Sequence, residues 1–193
     1  MSDKATEVDE DLQARTRHRV ANTFHFLSAL ARMRAQRGDD PSSAHGLTWM
    51  ADTIIDLGVL ERFVCAEGID VGGYLASMTA IWRDRFRRRG LEVVVETCPL
   101  ILTEAAAPSL VLIVLELVAH SAGNTFLGDQ APKISLQIQS QDPGYLLTLT
   151  DTGFGMASSQ DTFGLWLAKR LSQQIKGELT LEREGGFTLS FKP

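Results

Sequence analysis

From Glu10 to Arg37 neither proline nor glycine interrupts the chain, and Val20, Phe24, Leu27 and Ala31 recur at four- and then three-residue spacing. That is the period of one helical face, which Phe26, Leu30 and Met33 widen, and it predicts one long helix. Gly38, Asp39, Asp40, Pro41, Ser42 and Ser43 then crowd together as helix-stopping and N-capping residues. A second apolar series, Leu47, Met50, Ile54, Leu57 and Leu60, follows at once and predicts a second helix. Two helices joined this closely form a hairpin. Each carries an apolar stripe wider than one partner covers, so two copies of the chain are expected to pack their hairpins into a four-helix bundle.

After Ala66, Glu67 and Gly68 the texture changes, and the only domain boundary is drawn there, giving residues 1–66 and 67–193. Asp70 or Gly73 opens an amphipathic helix through Tyr74, Met78, Ile81, Trp82 and Phe86 to Arg89, stopped by Gly90. Leu91 to Thr97 is rich in β-branched residues and reads as a strand, and Pro108 to about Ala122 as a buried helix. Lys133 to Gln139 and Tyr145 to Asp151 read as strands joined by a turn at Asp142, Pro143 and Gly144. Phe163 to Ile175 has helical periodicity, and Glu178 to Glu182 with Phe187 to Phe191 make a closing hairpin. The expected class is α+β, a helical hairpin followed by a two-layer α/β sandwich.

Composition narrows the function. The 193 residues are 44% hydrophobic and 22% charged, which suits a soluble globular chain. Nineteen lysines and arginines against 24 acidic residues give a net charge of -5, which argues against binding along a nucleic-acid backbone. The arginines at 83, 85, 87, 88 and 89 sit at a helix end, where the helix dipole favours cations. Cys65 and Cys98 lack zinc or redox spacing and are expected to be reduced and partly buried. From the polar start no secretory signal or anchor is expected, and the apolar run Leu110 to Ala119 is about half the ~20 residues that span a bilayer. A cytoplasmic protein that binds neither membrane nor nucleic acid is the expectation.

Three clusters could carry chemistry. On the first helix, His18 and Asn22 share a stripe with His25 and Ala29 opposite the apolar face, so His18 is expected to project into solvent, where a neutral imidazole is a usable nucleophile near pH 7. Arg15, Arg17 and Arg19 flank it. Alone, this motif reads first as a surface histidine among arginines. The second cluster, E-L-V-A-H-S-A-G-N from Glu116 through His120 to Asn124, ends a buried helix. In the third, Asp151, Gly153 and Gly155 follow a strand, and Phe163, Gly164 and Leu165 open a helix; glycines there let the backbone approach a ligand while the aspartate accepts a hydrogen bond. No residue set has convincing metal-ligand spacing.

In this order and spacing the clusters resemble the bacterial two-component histidine kinases, and among them the group with an H-R-V-x-N histidine box, related to the HWE kinases. His18, Arg19, Val20 and Asn22 match that box, Glu116, Leu117 and Val118 the start of the asparagine box, and Asp151, Gly153 and Gly155 the first glycine box. Phe163, Gly164, Leu165 and Leu167 match the second. The resemblance implies that the sandwich is of the histidine-kinase, gyrase and chaperone ATPase type, with Glu116, His120, Asn124, Asp151, Gly153, Gly155 and Gly164 as the nucleotide site. It also shows departures. His120 stands where the family has an asparagine whose oxygen helps hold magnesium, Gly123 stands where it has a basic residue, and the segment between Gly155 and Thr162 is short.

Loss of these parts should cripple phosphoryl transfer from ATP, which depends on positioning and charge stabilisation. The resemblance is strongest to histidine phosphotransferases with a degenerate kinase ATP-binding domain. The leading expectation is a homodimeric phosphotransferase of a phosphorelay, in which His18 carries a phosphoryl group between response-regulator aspartates. Asn22 would orient the imidazole, and Arg15, Arg17 and Arg19 would steer acidic receiver domains or a hybrid histidine kinase. Transfer would need no cofactor of its own, magnesium sitting on the receiver. The alternatives are a soluble kinase using ATP and magnesium to autophosphorylate His18, and a non-catalytic docking regulator.

Overall fold

In a computed structural model of the chain, the described residues are 20, 22–33, 35–36, 41–124, 126, 131–153, 163–182 and 186–192. The chain divides into two compact units, Met1–Arg62 and Phe63–Pro193.

The first unit is built on α1 (residues 22–33) and α2 (Pro41–Leu60). Proline opens α2, where its missing N–H removes no helical hydrogen bond. The helices run antiparallel: Arg32 Nη2 donates to Asp52 Oδ1 at 2.6 Å, and Gly58 lies against the Phe24 ring. Ser28, Ala31, Ala51 and Leu60 are buried. The opposite flank stays open, with Phe26, Leu27, Leu30, Met33 and Met50 exposed. Asn22, His25 and Ala29 are also exposed, on the polar stripe expected from the sequence.

The second unit opens with two short strands, β1 (Val64–Cys65) and β2 (Gly68–Asp70), followed by α3 (Val71–Phe86). Asp70 caps α3, its Oδ1 accepting the Gly73 N–H at 2.9 Å. Asp70→Ala is expected to cost about 1 kcal/mol, read as a lowered urea midpoint with an unchanged slope. Tyr74, Leu75, Met78 and Trp82 make the buried stripe of α3. The segment Arg87–Arg89 adds a 3-10 turn before Gly90 takes a left-handed φ of 62° and ends it.

A five-stranded sheet has the order β3-β5-β6-β8-β7, from β3 (Glu92–Glu96), β5 (Lys133–Gln141), β6 (Gly144–Asp151), β7 (Glu178–Leu181) and β8 (Phe187–Phe191). β3 runs parallel to β5 and the other pairings are antiparallel. Val93, Ile134, Leu136, Ile138, Leu147, Leu149, Phe187, Leu189 and Phe191 are buried at alternate positions, so one face carries the core. α3, α4 (Ala107–Ala122) and α5 (Phe163–Gln174) pack against this sheet. α4 touches both β5 and β6 and lies against α5. Its side chains are therefore apolar nearly all round, Leu110 to Leu115 with Leu117 and Val118.

The α+β class of the sequence reading is the fold observed. The turn at 66–68, read as the start of a new domain, instead joins β1 to β2 inside the second unit, and β2 pairs with a further strand, β4 (Ile101–Leu102). A second correction concerns the cysteines: Cys98 is half-buried, but Cys65 is exposed, because β1 is a two-residue edge strand whose residues both face solvent.

Candidate functional site

Three chain segments meet at one end of the sheet: the C-terminus of α4, the end of β6 and the N-terminus of α5. The antiparallel register pairs Ile134 with Asp151, and the ladder is extended one step by Thr152, whose N–H donates to Lys133 O at 3.0 Å. The Thr152 hydroxyl accepts the Lys133 N–H at 2.9 Å and lies 3.1 Å from Ala131 O, to which it donates. These bonds fix the strand end from which Asp151 projects. Sequence reasoning passed over Thr152, whose role depends on the register of a strand far away in the chain.

Asp151 Oδ1 accepts the Gly153 N–H at 2.9 Å and Oδ2 accepts Asn124 Nδ2 at 3.2 Å. A carboxylate offers about four lone-pair directions, so these bonds leave acceptor capacity. A Cβ on Gly153 would come within 2.8 Å of Asp151 Oδ1 and 3.0 Å of Asn124 Cβ, with the Phe126 ring next at 3.5 Å. Only glycine fits this close approach of the backbone to Asp151 and Asn124.

Glu116, His120 and Asn124 fall at intervals of four along and just beyond α4, which places them on one stripe. Glu116 is buried, and its carboxylate lies so close to Gly164 that any side chain there would collide with it. The first turn of α5 is thereby seated on α4. His120 packs edge-on against Phe187, ring centroids 5.5 Å apart at 80°, and its Nε2 is buried without a hydrogen-bond partner. Phe187 reaches this place because β6 and β8 pair Leu149 with Phe187.

Burial pushes the His120 imidazole below its ordinary 6.5, with the charge of Asp151 opposing in part. The folded protein thus resists protonation, and as pH falls through 6.5 toward the lowered value the unfolded chain takes the proton first. This contribution to stability is full above 6.5 and is lost below it. Urea midpoints measured from neutral pH down to about pH 5 are expected to fall more steeply for the native protein than for His120→Asn.

The structure therefore brings together Glu116, His120, Asn124, Asp151, Gly153 and Gly164. Asn22 is exposed on α1, in the other unit. His18, Arg15, Arg17, Arg19 and Gly155 lie outside the described residues. Phe163 and Trp166 stack on each other with centroids 5.7 Å apart on the exposed side of α5, Arg170 lying over the indole at 5.9 Å.

An aspartate, a glycine cradle and a flanking aromatic ring suit the edge of a planar amino-bearing base. Magnesium, which the resemblance implies for the phosphate end, does not fit the described residues. It prefers oxygen ligands in octahedral geometry and keeps several waters. At the position the resemblance gives to an amide oxygen, the α4 stripe offers the ring nitrogen of His120 with Phe187 against it; Glu116 Oε2 lies in the α5 contact with Oε1 buried and making no hydrogen bond, and the Asn124 amide is engaged by Asp151. Among the described residues no group of three or more histidine, cysteine, aspartate or glutamate side chains could hold a metal, and no helix is long and apolar enough to cross a membrane.

A helical hairpin followed by an α/β sandwich with this strand order defines a fold class, that of bacterial histidine kinase domains. The histidine kinase domain of the blue-light activated histidine kinase from Erythrobacter litoralis EL346 matches with a TM-score of 0.63 at 20% identity, over 97% of this chain and 92% of that one. A longer chain of the same kinase matches with a TM-score of 0.67 at 17% identity, over 92% of this chain and 58% of that one. The Acinetobacter baumannii histidine kinase AdeS gives 0.55 at 15% identity, over 90% and 95%. No family model and no curated protein matches the sequence.

Proposed function

We propose that this chain is a histidine-kinase-type signalling protein of a two-component system, in which His18 carries a phosphoryl group. The observation that carries the reading is the fold, shared with histidine kinase domains over nearly the whole chain. The H-R-V-x-N sequence around His18 and the exposed stripe of Asn22, His25 and Ala29 that continues from it support the choice of residue. The open apolar flank of the hairpin, Phe26, Leu27, Leu30, Met33 and Met50, supports a homodimer through a four-helix bundle. In such a dimer Arg15, Arg17 and Arg19 would draw in the acidic phosphorylation site of a receiver domain. The protein would act in the cytoplasm without binding membrane or nucleic acid.

Two readings differ in the phosphoryl donor. The kinase reading, autophosphorylation of His18 from ATP held at Asp151, has the better support from the comparisons, since the similar solved chains are named as histidine kinases. The relay reading, in which His18 exchanges its phosphoryl group with response-regulator aspartates and the partner supplies the magnesium, is favoured by one specific observation, the His120 ring against Phe187 where a hard cation would need oxygen. The deciding experiment offers the purified protein γ-labelled ATP with magnesium in one sample and a phosphorylated receiver domain in another. Label from ATP supports the kinase. Label from the receiver alone supports the relay, and no label by either route overturns both and leaves a docking regulator.

A further inference from the structure

We infer that the Asp151 pocket takes a nucleotide without a divalent cation, and that His120 is the residue responsible. The inference rests on the nucleotide reading of the site and deepens it. The base end is intact: Asp151 retains acceptor capacity beside the open Gly153 cradle and the Phe126 ring. One helical turn back along α4 the chemistry changes. The buried Nε2 of His120 has no hydrogen-bond partner, and Phe187 packs edge-on against the imidazole with ring centroids 5.5 Å apart. Of the other polar groups of the stripe, Asn124 donates to Asp151 and Glu116 Oε2 lies against the first turn of α5, while Glu116 Oε1 is buried and makes no hydrogen bond. Among the described residues, the site thus divides into a half suited to an amino-bearing base and a half where a hard cation meets the imidazole nitrogen of His120 in place of an amide oxygen. Binding energy then comes from the base, and magnesium adds none. A nucleotide held this way serves as a bound ligand of the protein, and the phosphoryl group on His18 comes from a receiver domain.

The test is equilibrium binding of ATP to the full chain in magnesium buffer and in EDTA buffer. The native protein is expected to bind with dissociation constants within about threefold of each other in the two buffers. His120→Asn, which supplies an amide oxygen, is expected to tighten ATP binding at least about tenfold in magnesium but not in EDTA. His120→Gln serves the same purpose if the asparagine variant fails to fold. Any of three results overturns the inference: native binding more than threefold tighter in magnesium, no saturable ATP binding in either buffer, or both amide variants folded and as indifferent to magnesium as the native protein. Labelling of His18 by a phosphorylated receiver is followed in the same preparations. A failed binding result with that labelling intact removes this inference and leaves the phosphohistidine reading standing.

Discussion

His18→Ala is expected to lose all phosphoryl label, whichever donor is offered, while His25→Ala keeps it within about twofold. Phosphoryl transfer needs a nucleophilic nitrogen in line with the donor, and among nearby residues in the sequence only His25 could substitute, since the residues flanking His18 are arginines and arginine stays protonated. His25 is exposed on α1, and the helical period predicts that it shares a stripe with His18, which makes it the natural false candidate. Seven residues along a helix are about 10 Å, however, and a partner seated for one imidazole leaves the other far outside transfer distance. The measurement is acid-labile label per chain for the native protein and both variants. Label that persists in His18→Ala and disappears in His25→Ala would move the site to His25. Loss in both variants would mean that the helix face, not one residue, had been damaged.

The same contrast between local and distant information explains what the sequence made legible. α4 and α5 could be read because a long apolar or amphipathic run with a proline or glycine at its end has few other conformations. β5, β6 and β8 alternate cleanly because one face is buried. β1, β2 and β4 escaped because strands of two or three residues have no period to detect, and their pairing joins residues 64–70 to 101–102 across the whole of α3. Asp151, Gly153 and Glu116 were legible as candidates because their spacing is local to a strand end and a helix. What lies beside them was not. Thr152 matters through Lys133 and Ala131, and Phe187 reaches His120 only through the register of β8 on β6, so neither contact leaves a mark in its own segment. His120 stood out as an unusual residue, but that its Nε2 would be buried beside an aromatic edge follows from the sheet alone.

Trp82→Ala is expected to destabilise the α/β unit by about 3–5 kcal/mol, the largest stability effect of any single truncation proposed for this chain. Trp82 is fully buried and heads the large side chains that have no solvent contact. It lies on α3, which packs against β3, and it continues the stripe of Tyr74, Leu75 and Met78. Truncation removes the transfer energy of the indole and leaves a cavity that the close-packed surroundings fill only in part. A domain of this size has about 5–15 kcal/mol in all, so the loss takes a large share of it. The consequence reaches the candidate site through the sheet: β3 pairs with β5, β5 with β6, and β6 ends in Asp151. Urea unfolding followed by circular dichroism should show a much lower midpoint, and under the proposed nucleotide reading ATP binding should fall with the folded fraction instead of through any change in the pocket's own affinity. A variant that unfolds at the native midpoint would mean that the Trp82 ring is not the packed centre that its burial indicates. If it folds fully yet no longer binds ATP, α3 rather than the β6 end would be implicated in holding the nucleotide.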